Sequence, residues 1–297
     1  MAENLSDVRD RIKSVKNTQQ ITKAMKMVSA AKLRRAQQAI VEIRPYANRL
    51  DKMMKNILSN LEGDVNTKFG VAREVKKPLV VVVTSNRGLC GAFNANVVKE
   101  AVKVIDEKYA AFRSSGDLSI MFIGKKGYDS MRKKYANCNL ITEKLEIINT
   151  MTFDKVADIS DDIMNKFNLE EFDAVDVCFG RFKNAGTQYP ECVAYLPVPK
   201  VVGDKNESKI KADYLFEPDK ESLIEELIPS ILRVQFNKFL LDTHASEHGA
   251  RMTAMDKATE NAEDLMGELK LNYNKARQAA ITSELSEIVS GAMALGG

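Results

Sequence analysis

Residues 252–280 read MTAMDKATENAEDLMGELKLNYNKARQAA. Met252, Met255, Thr259, Ala262, Met266, Leu269, Tyr273, Ala276 and Ala280 follow one another at steps of three and four. The same seam runs back through His248, Ala245, Leu241, Lys238, Val234, Ile231 and Leu227 to Ile224, and only Lys238, His248 and Thr259 interrupt its apolar character. An apolar period of about 3.5 residues sustained over roughly eight heptads marks a coiled coil. At ~1.5 Å per residue such a helix extends about 100 Å, a length for which a globular enzyme has little use. A rod transmits, spaces or levers.

The other end of the chain carries a matching pattern. Residues 4–61 read as one helix whose seam begins with Leu5, Val8, Ile12 and Val15. It turns polar at Gln19, Thr22, Lys26 and Ser29, then recovers at Leu33, Ala36, Ile40 and Ile43. A polar middle costs stability and fixes register, or faces something other than the partner helix. Pro45 marks a kink or break in this helix, and Pro229 a kink in the first turns of the last one.

Between the helices the character changes. Leu79-Val-Val-Val-Val83 is a β-branched run of the buried parallel-strand kind. A loop from Thr84 to Asn94 follows, then a helix to about Phe112, a strand over Leu118–Ile123 and a short helix over Lys125–Lys134. Phe153–Phe167 reads as a helix, and Ala174–Phe179 and Cys192–Val198 as strands. Strands and helices alternating at this spacing predict an open α/β sheet. Val201–Pro218 is polar and reads as a loop, with Asp219 as the N-cap of the last helix.

The predicted fold is therefore α plus α/β: an antiparallel coiled coil of the terminal helices and a central Rossmann-like domain. The divisions fall at 1–61, 75–205 and 219–290, with the two helices forming one discontinuous shaft. Both helices attach to the central domain, so they run antiparallel, and pairing residue ~60 with ~219 makes partner numbers sum to roughly 279. Met25 then lies near Arg251 or Ala254, and Val8 near Leu271. A cysteine pair at Met25 and Met252 is expected to crosslink. The last helix outruns the first and ends in a single-helix tip over Arg277–Ile288.

A net charge of +3 says little about partners, but its distribution says more. Arg11, Lys13, Lys16, Lys23, Lys26, Lys32, Arg34 and Arg35 form a basic block with no acidic residue among them. Such a block marks an acidic partner, a phosphate backbone or a solvated face. Its residues point around several faces with few aromatics interleaved, which argues against nucleic-acid readout. Cys90, Cys138, Cys178 and Cys192 form no CxxC pair and read as small apolar fillers in a reducing compartment. No apolar run approaches the ~20 residues that span a bilayer, so the chain is expected in the cytosol, meeting a membrane only through a partner.

Catalytic chemistry is hard to find. His244-Ala-Ser-Glu-His248 fits the H-x-x-E-H pattern of inverted zinc proteases. However, His248 sits on the seam, and a helix in the middle of a rod offers no cleft. The loop Ser85–Asn94 lacks both the GxGxxG and the P-loop endings, so it reads as a tight strand-to-helix turn with Arg87 available to a partner surface. Gly180–Gly186 reads as a basic turn between two strands. The chain has two histidines and no visible Ser/His/Asp, Cys/His or paired-carboxylate set. It does not read as an enzyme by itself.

Three stretches carry a family resemblance. Residues 12–33 (IKSVKNTQQITKAMKMVSAAKL), 86–94 (NRGLCGAFN) and 273–292 (YNKARQAAITSELSEIVSGA) closely resemble the gamma subunit of bacterial F-type ATP synthase, in the right order over the whole chain. The resemblance implies a central rotor shaft turning inside a ring of alternating alpha and beta subunits. The α/β domain would form a foot joined to epsilon and to the membrane ring of c subunits. ATP, ADP and Mg would belong to alpha and beta, with no cofactor, metal or catalytic residue on this chain. The location implied is peripheral, at the cytoplasmic face of the bacterial membrane.

Carried over residue by residue, the contacts to the alpha/beta ring are Met25, Lys26 and Arg251, with Arg277, Gln278, Thr282, Glu284 and Glu287 at the tip. Those toward epsilon and the c ring are Tyr214 and Glu217. Met25 has an alternative as simple seam packing near Met252. Family members usually carry a polar, sometimes acidic, residue at the place of Lys26. The cysteine insertion of plant chloroplast members is absent, which argues against thiol control. The alternative from the basic block is a coiled-coil adaptor or nucleic-acid-binding protein, testable by salt-dependent affinity for DNA.

Overall fold

The computed structural model describes residues 5–59, 69–70, 73–198 and 220–295. Tyr214, Glu217 and the expected cap Asp219 lie outside the described residues. The chain forms two compact units, one of Met1–Ser29 with Met252–Gly297 and one of Ala30–Arg251. Helix α1 (Leu5–Ser59) and helix α6 (Lys220–Leu295) each contribute to both, and helical structure continues through Pro45 and Pro229 without a break.

The unit of the two chain ends is the predicted antiparallel coiled coil. On α1, Val8, Thr22 and Ser29 are buried, and Leu5, Ile12, Val15, Gln19 and Lys26 half-buried. On α6, Met255, Ala262 and Leu269 are buried, and Met252, Thr259, Met266, Tyr273, Ala276 and Ala280 half-buried. These are the seam positions read from the heptads. The polar middle pairs with itself: the Thr22 and Thr259 hydroxyls meet at 2.8 Å, and Lys26 forms an ion pair with Asp256. Farther along, Arg9 donates to the Tyr273 hydroxyl at 3.1 Å. Partner numbers thus sum to about 281–282, less than one turn from the expected register. Leu271, expected opposite Val8, is exposed, because it lies between the seam positions Leu269 and Tyr273.

The other unit is built on a sheet ordered β3-β2-β1-β4-β5. Its strands are β1 (Pro78–Val83), β2 (Ser119–Ile123), β3 (Asn139–Ile141), β4 (Ala174–Asn184) and β5 (Thr187–Leu196). The first four are parallel, and β5 runs antiparallel to β4. Strand periodicity sorts β1 between two cores. Val80 and Val82 join Ile120, Phe122 and Cys178 beneath helix α2 (Phe93–Lys108). Leu79, Val81 and Val83 join Met121, Val177 and Phe179 beneath helix α5 (Phe153–Asn168) and the near half of α6. Helices α3 (Ala110–Ser115) and α4 (Lys125–Met131) complete the connections.

The structure adds to the sequence reading of α6. Between Ile228 and Arg251 it is buried on more than its seam. Ile231 and Val234 meet Leu50 and the half-buried Ile43 and Ala47 of α1. A second stripe, Leu232, Phe236, Phe239 and Leu240, packs into the sheet core. Here the helix is a layer of an α/β domain as well as a coil strand. The hairpin also differs from expectation. The strands are longer than predicted, and residues 180–184 belong to β4, leaving only Ala185 and Gly186 as the turn. Gly180 stands mid-strand because Phe93 needs the space: a Cβ there would lie 2.4 Å from its ring. The cysteine reading needs correction for one pair. Cys178 and Cys192 face each other across the β4–β5 register and are joined as a disulfide. Cys90 and Cys138 are free and buried, as expected of fillers.

Cysteines at Thr22 and Thr259 are expected to crosslink on mild oxidation, and faster than a pair at Met25 and Met252. Non-reducing electrophoresis with mass mapping reads the ratio, and a faster Met25–Met252 pair would reject the observed register.

Candidate functional site

The expected contact residues fall into three groups. Arg277, Gln278, Thr282, Glu284 and Glu287 are exposed on the last turns of α6. Their hydrogen bonds are local to the helix, such as Thr282 Oγ1 to the Gln278 carbonyl at 2.9 Å. An apolar stripe that the sequence reading did not single out, Ile281, Leu285, Ile288, Val289 and Met293, is exposed beside them. Its signal was present as i, i+4, i+7 spacing past the end of the seam.

Met25 and Lys26 are half-buried. Lys26 is occupied by Asp256, which offsets its charge. Both partners are about two-fifths exposed, so the pair contributes ~0–1 kcal/mol. Ile21, Met27 and Val28, around Met25, are exposed apolar residues that heptad reading passed over because they lie off the seam. The basic block is exposed throughout except at half-buried Lys26.

Arg251 is placed differently from a surface contact. It is 7% exposed, on α6 beneath the loop that links β1 to α2. Its Nε donates to the Gly88 carbonyl at 3.2 Å, and Nη2 to the carbonyls of Arg87 at 3.0 Å and Gly88 at 3.1 Å. Nη1 reaches Glu247 Oε1 at 2.7 Å and His248 Nδ1 at 3.2 Å. Burial raises the Glu247 carboxyl above its ordinary range, opposed by Arg251. Burial likewise lowers His244 to about 4, helped by Lys32 and Arg251, and His248 to about 3, helped by His244, Arg251 and Lys32. Both rings are therefore neutral at pH 7. The H-x-x-E-H pattern thus supplies an internal hydrogen-bond network. Among the described residues no group of three or more His, Cys, Asp or Glu could hold a metal ion.

One turn earlier α6 grips the β4–β5 hairpin. The Gly180 N–H donates to Thr243 Oγ1 at 3.3 Å, and Ser246 Oγ donates to the Gly180 carbonyl at 2.9 Å. Gly249 lets the Ala185 backbone approach, since a Cβ there would lie 3.1 Å from its Cα. Thr243, Ser246 and Gly249, at steps of three, were a legible small-residue face that heptad reading overlooked. On the same helix Asp242 is buried, and that burial raises its carboxyl to about 6. Lys238, Arg181 and Arg44 pull it back down, while Glu191 adds to the rise.

These features define a protein of one two-helix coil and one α/β unit. The comparisons agree. Residues 4–295 match the ATP synthase family. The chain is 48% identical to the ATP synthase gamma chain of Cytophaga hutchinsonii over 98% of its own length and 99% of that protein. It is 48% identical to the gamma chain of Flavobacterium psychrophilum over 99% of each. The fold resembles a chain in the structure of the Euglena gracilis mitochondrial ATP synthase OSCP/F1/c-ring assembly. There the TM-score is 0.67 at 24% identity, covering 98% of this chain and 94% of that one. The chain belongs to the ATP synthase gamma family.

Asp242→Asn tests the buried carboxyl. The folded pKa lies above the unfolded one, so the folded state holds the proton more tightly and ionisation works against folding. Asn is expected to stabilise the chain by about 2–3 kcal/mol above pH 6. That gain shrinks as pH falls from 6 and is absent below about 3.8, where both states are protonated. Urea unfolding across pH 3.5–8 measures it, and a pH-independent difference would exclude this origin.

Proposed function

We propose that this chain is the central rotor shaft of an F-type ATP synthase, coupling ion flow through a membrane ring to ATP synthesis or hydrolysis on other subunits. The observation that carries this reading is the far end of α6. Its seam is buried up to Leu269 and half-buried on to Ala280, and the turns beyond expose an apolar stripe beside Arg277, Glu284 and Glu287. An apolar stripe of that kind marks a surface that a partner covers. A sleeve formed by alpha and beta subunits suits it, because mixed apolar and weak charged contacts can be made and broken as a shaft turns.

The partners in this reading are the alpha and beta subunits around the coil, and epsilon and the c ring at the α/β unit. Nucleotides and Mg sit on alpha and beta. No described helix is long and apolar enough to cross a membrane, so attachment at the cytoplasmic face runs through the complex. Met25 and Lys26 on α1 and the tip set on α6 are the proposed ring contacts. Arg251 acts from inside the chain. The foot contacts at Tyr214 and Glu217 stay part of the proposal.

Affinity purification of the tagged chain from its host is expected to recover alpha and beta subunits stoichiometrically, and their absence would reject the reading. Arg277→Glu is expected to lower ATP-driven ion pumping several-fold more than Lys99→Glu, which alters an exposed charge on α2. Equal losses would remove the tip from the coupling surface.

A further inference from the structure

We infer that Arg251 is a positioning residue: it fixes the loop after β1 from below, and a hydrogen-bonded chain through His248 and His244, with Glu247, fixes Arg251. The inference deepens the shaft reading and rests on it only for the effect on coupling.

Donor counting is the first support. A guanidinium carries five N–H groups and cannot be deprotonated. One on Nε goes to Gly88, two on Nη2 go to Arg87 and Gly88, and two on Nη1 go to Glu247 and His248. No donor is left for another subunit, and the group is buried.

The second support is the loop. Leu89 has φ 62 and is 62% exposed, a left-handed conformation that is costly for a non-glycine residue. Such a conformation persists where its surroundings over-determine it. Here they do. The Arg87 carbonyl accepts from both Ser85 Oγ, at 2.7 Å, and Arg251. The Gly88 carbonyl accepts twice from Arg251. Asn94 Oδ1 accepts from the Ser85 N–H at 3.0 Å. The loop is held in a strained shape that displays Leu89.

The third support is directional. Arg251 can only donate, so His248 Nδ1 accepts. A neutral His248 then carries its proton on Nε2 and donates to His244 Nε2, 3.1 Å away. His244 in turn carries its proton on Nδ1. The contacts thus specify opposite tautomers for two rings one helical turn apart. Neither tautomer alone would support both contacts.

The chain's two histidines make this directly readable. In full-length protein labelled with ¹⁵N in the imidazoles, at pH 7, one ring is expected as the pure Nε2–H tautomer and the other as pure Nδ1–H. His244→Gln is expected to remove the Nδ1–H signal. A protonated or Nδ1–H His248 would overturn the inference.

Hydrogen exchange supplies the second reading. In Arg251→Lys, which keeps the charge and loses the fork, amides 87–91 are expected to exchange at least tenfold faster, with those of β1 unchanged. Glu247→Gln with His248→Leu, which leaves Arg251 in place but unsupported, is expected to give a smaller increase confined to the same amides. Unchanged exchange at 87–91 in both, or an equal rise in β1, would reject the positioning role. In the assembled enzyme Arg251→Lys is expected to lower the ratio of ion pumping to ATP hydrolysis at least twofold. If the tautomers and local exchange follow expectation while this ratio holds, the positioning role stands and its effect on coupling is rejected, whereas failure to recover alpha and beta subunits with the tagged chain would reject the shaft reading itself.

Discussion

Phe236, Phe239 and Leu240 on α6 must leave water, and the sheet face that carries Val81, Val177 and Phe179 takes them in. The polar ties of this unit depend on that burial. Each large side chain removed from water contributes about 1.5–3 kcal/mol. A hydrogen bond such as Tyr195 to the Leu232 carbonyl, or Ser246 to Gly180, contributes about 1. The apolar layer therefore supplies the stability. The hydrogen bonds decide where along its axis, and at what rotation, the helix settles. With the helix so placed, Thr243, Ser246 and Gly249 meet the hairpin and Arg251 meets the loop after β1.

The coil between the chain ends follows a different economy. Its middle replaces apolar knobs with Thr22, Thr259 and the Lys26–Asp256 pair. Each replacement gives up some burial. In return a hydroxyl pair or ion pair is satisfied in one register and broken in its neighbours, whereas Leu and Met tolerate sliding. The design suits a coil whose two strands must keep their phase under load.

The sequence was most legible where one period ruled. Heptads located both seams, and the β-branched run at 79–83 located the central strand. Reading failed where two demands fell on one residue set. The near half of α6 carries a second apolar stripe for the sheet, which seam counting cannot separate from the first. Polar residues at 180–184 looked like a turn because β4 runs on beyond the sheet core, and Gly180 looked like a breaker because Phe93's need for space is invisible in one dimension. The Cys178–Cys192 pairing depends on strand register. Arg251 was singled out from the resemblance as a partner contact, but only three-dimensional packing shows that its donors turn inward. Tip residues 277–287 were read from the resemblance, and the structure supplied the apolar stripe beside them.

That stripe bears on how the protein must be made. Ile281, Leu285, Ile288, Val289 and Met293 stay in water for as long as the chain is alone. Each copy synthesised in excess of its partners adds a sticky helix end to the cell. Exposed stripes of this size invite self-association and capture by chaperones. Balanced output of subunits, or a chaperone that shields this end until assembly, then becomes a requirement written into five side chains.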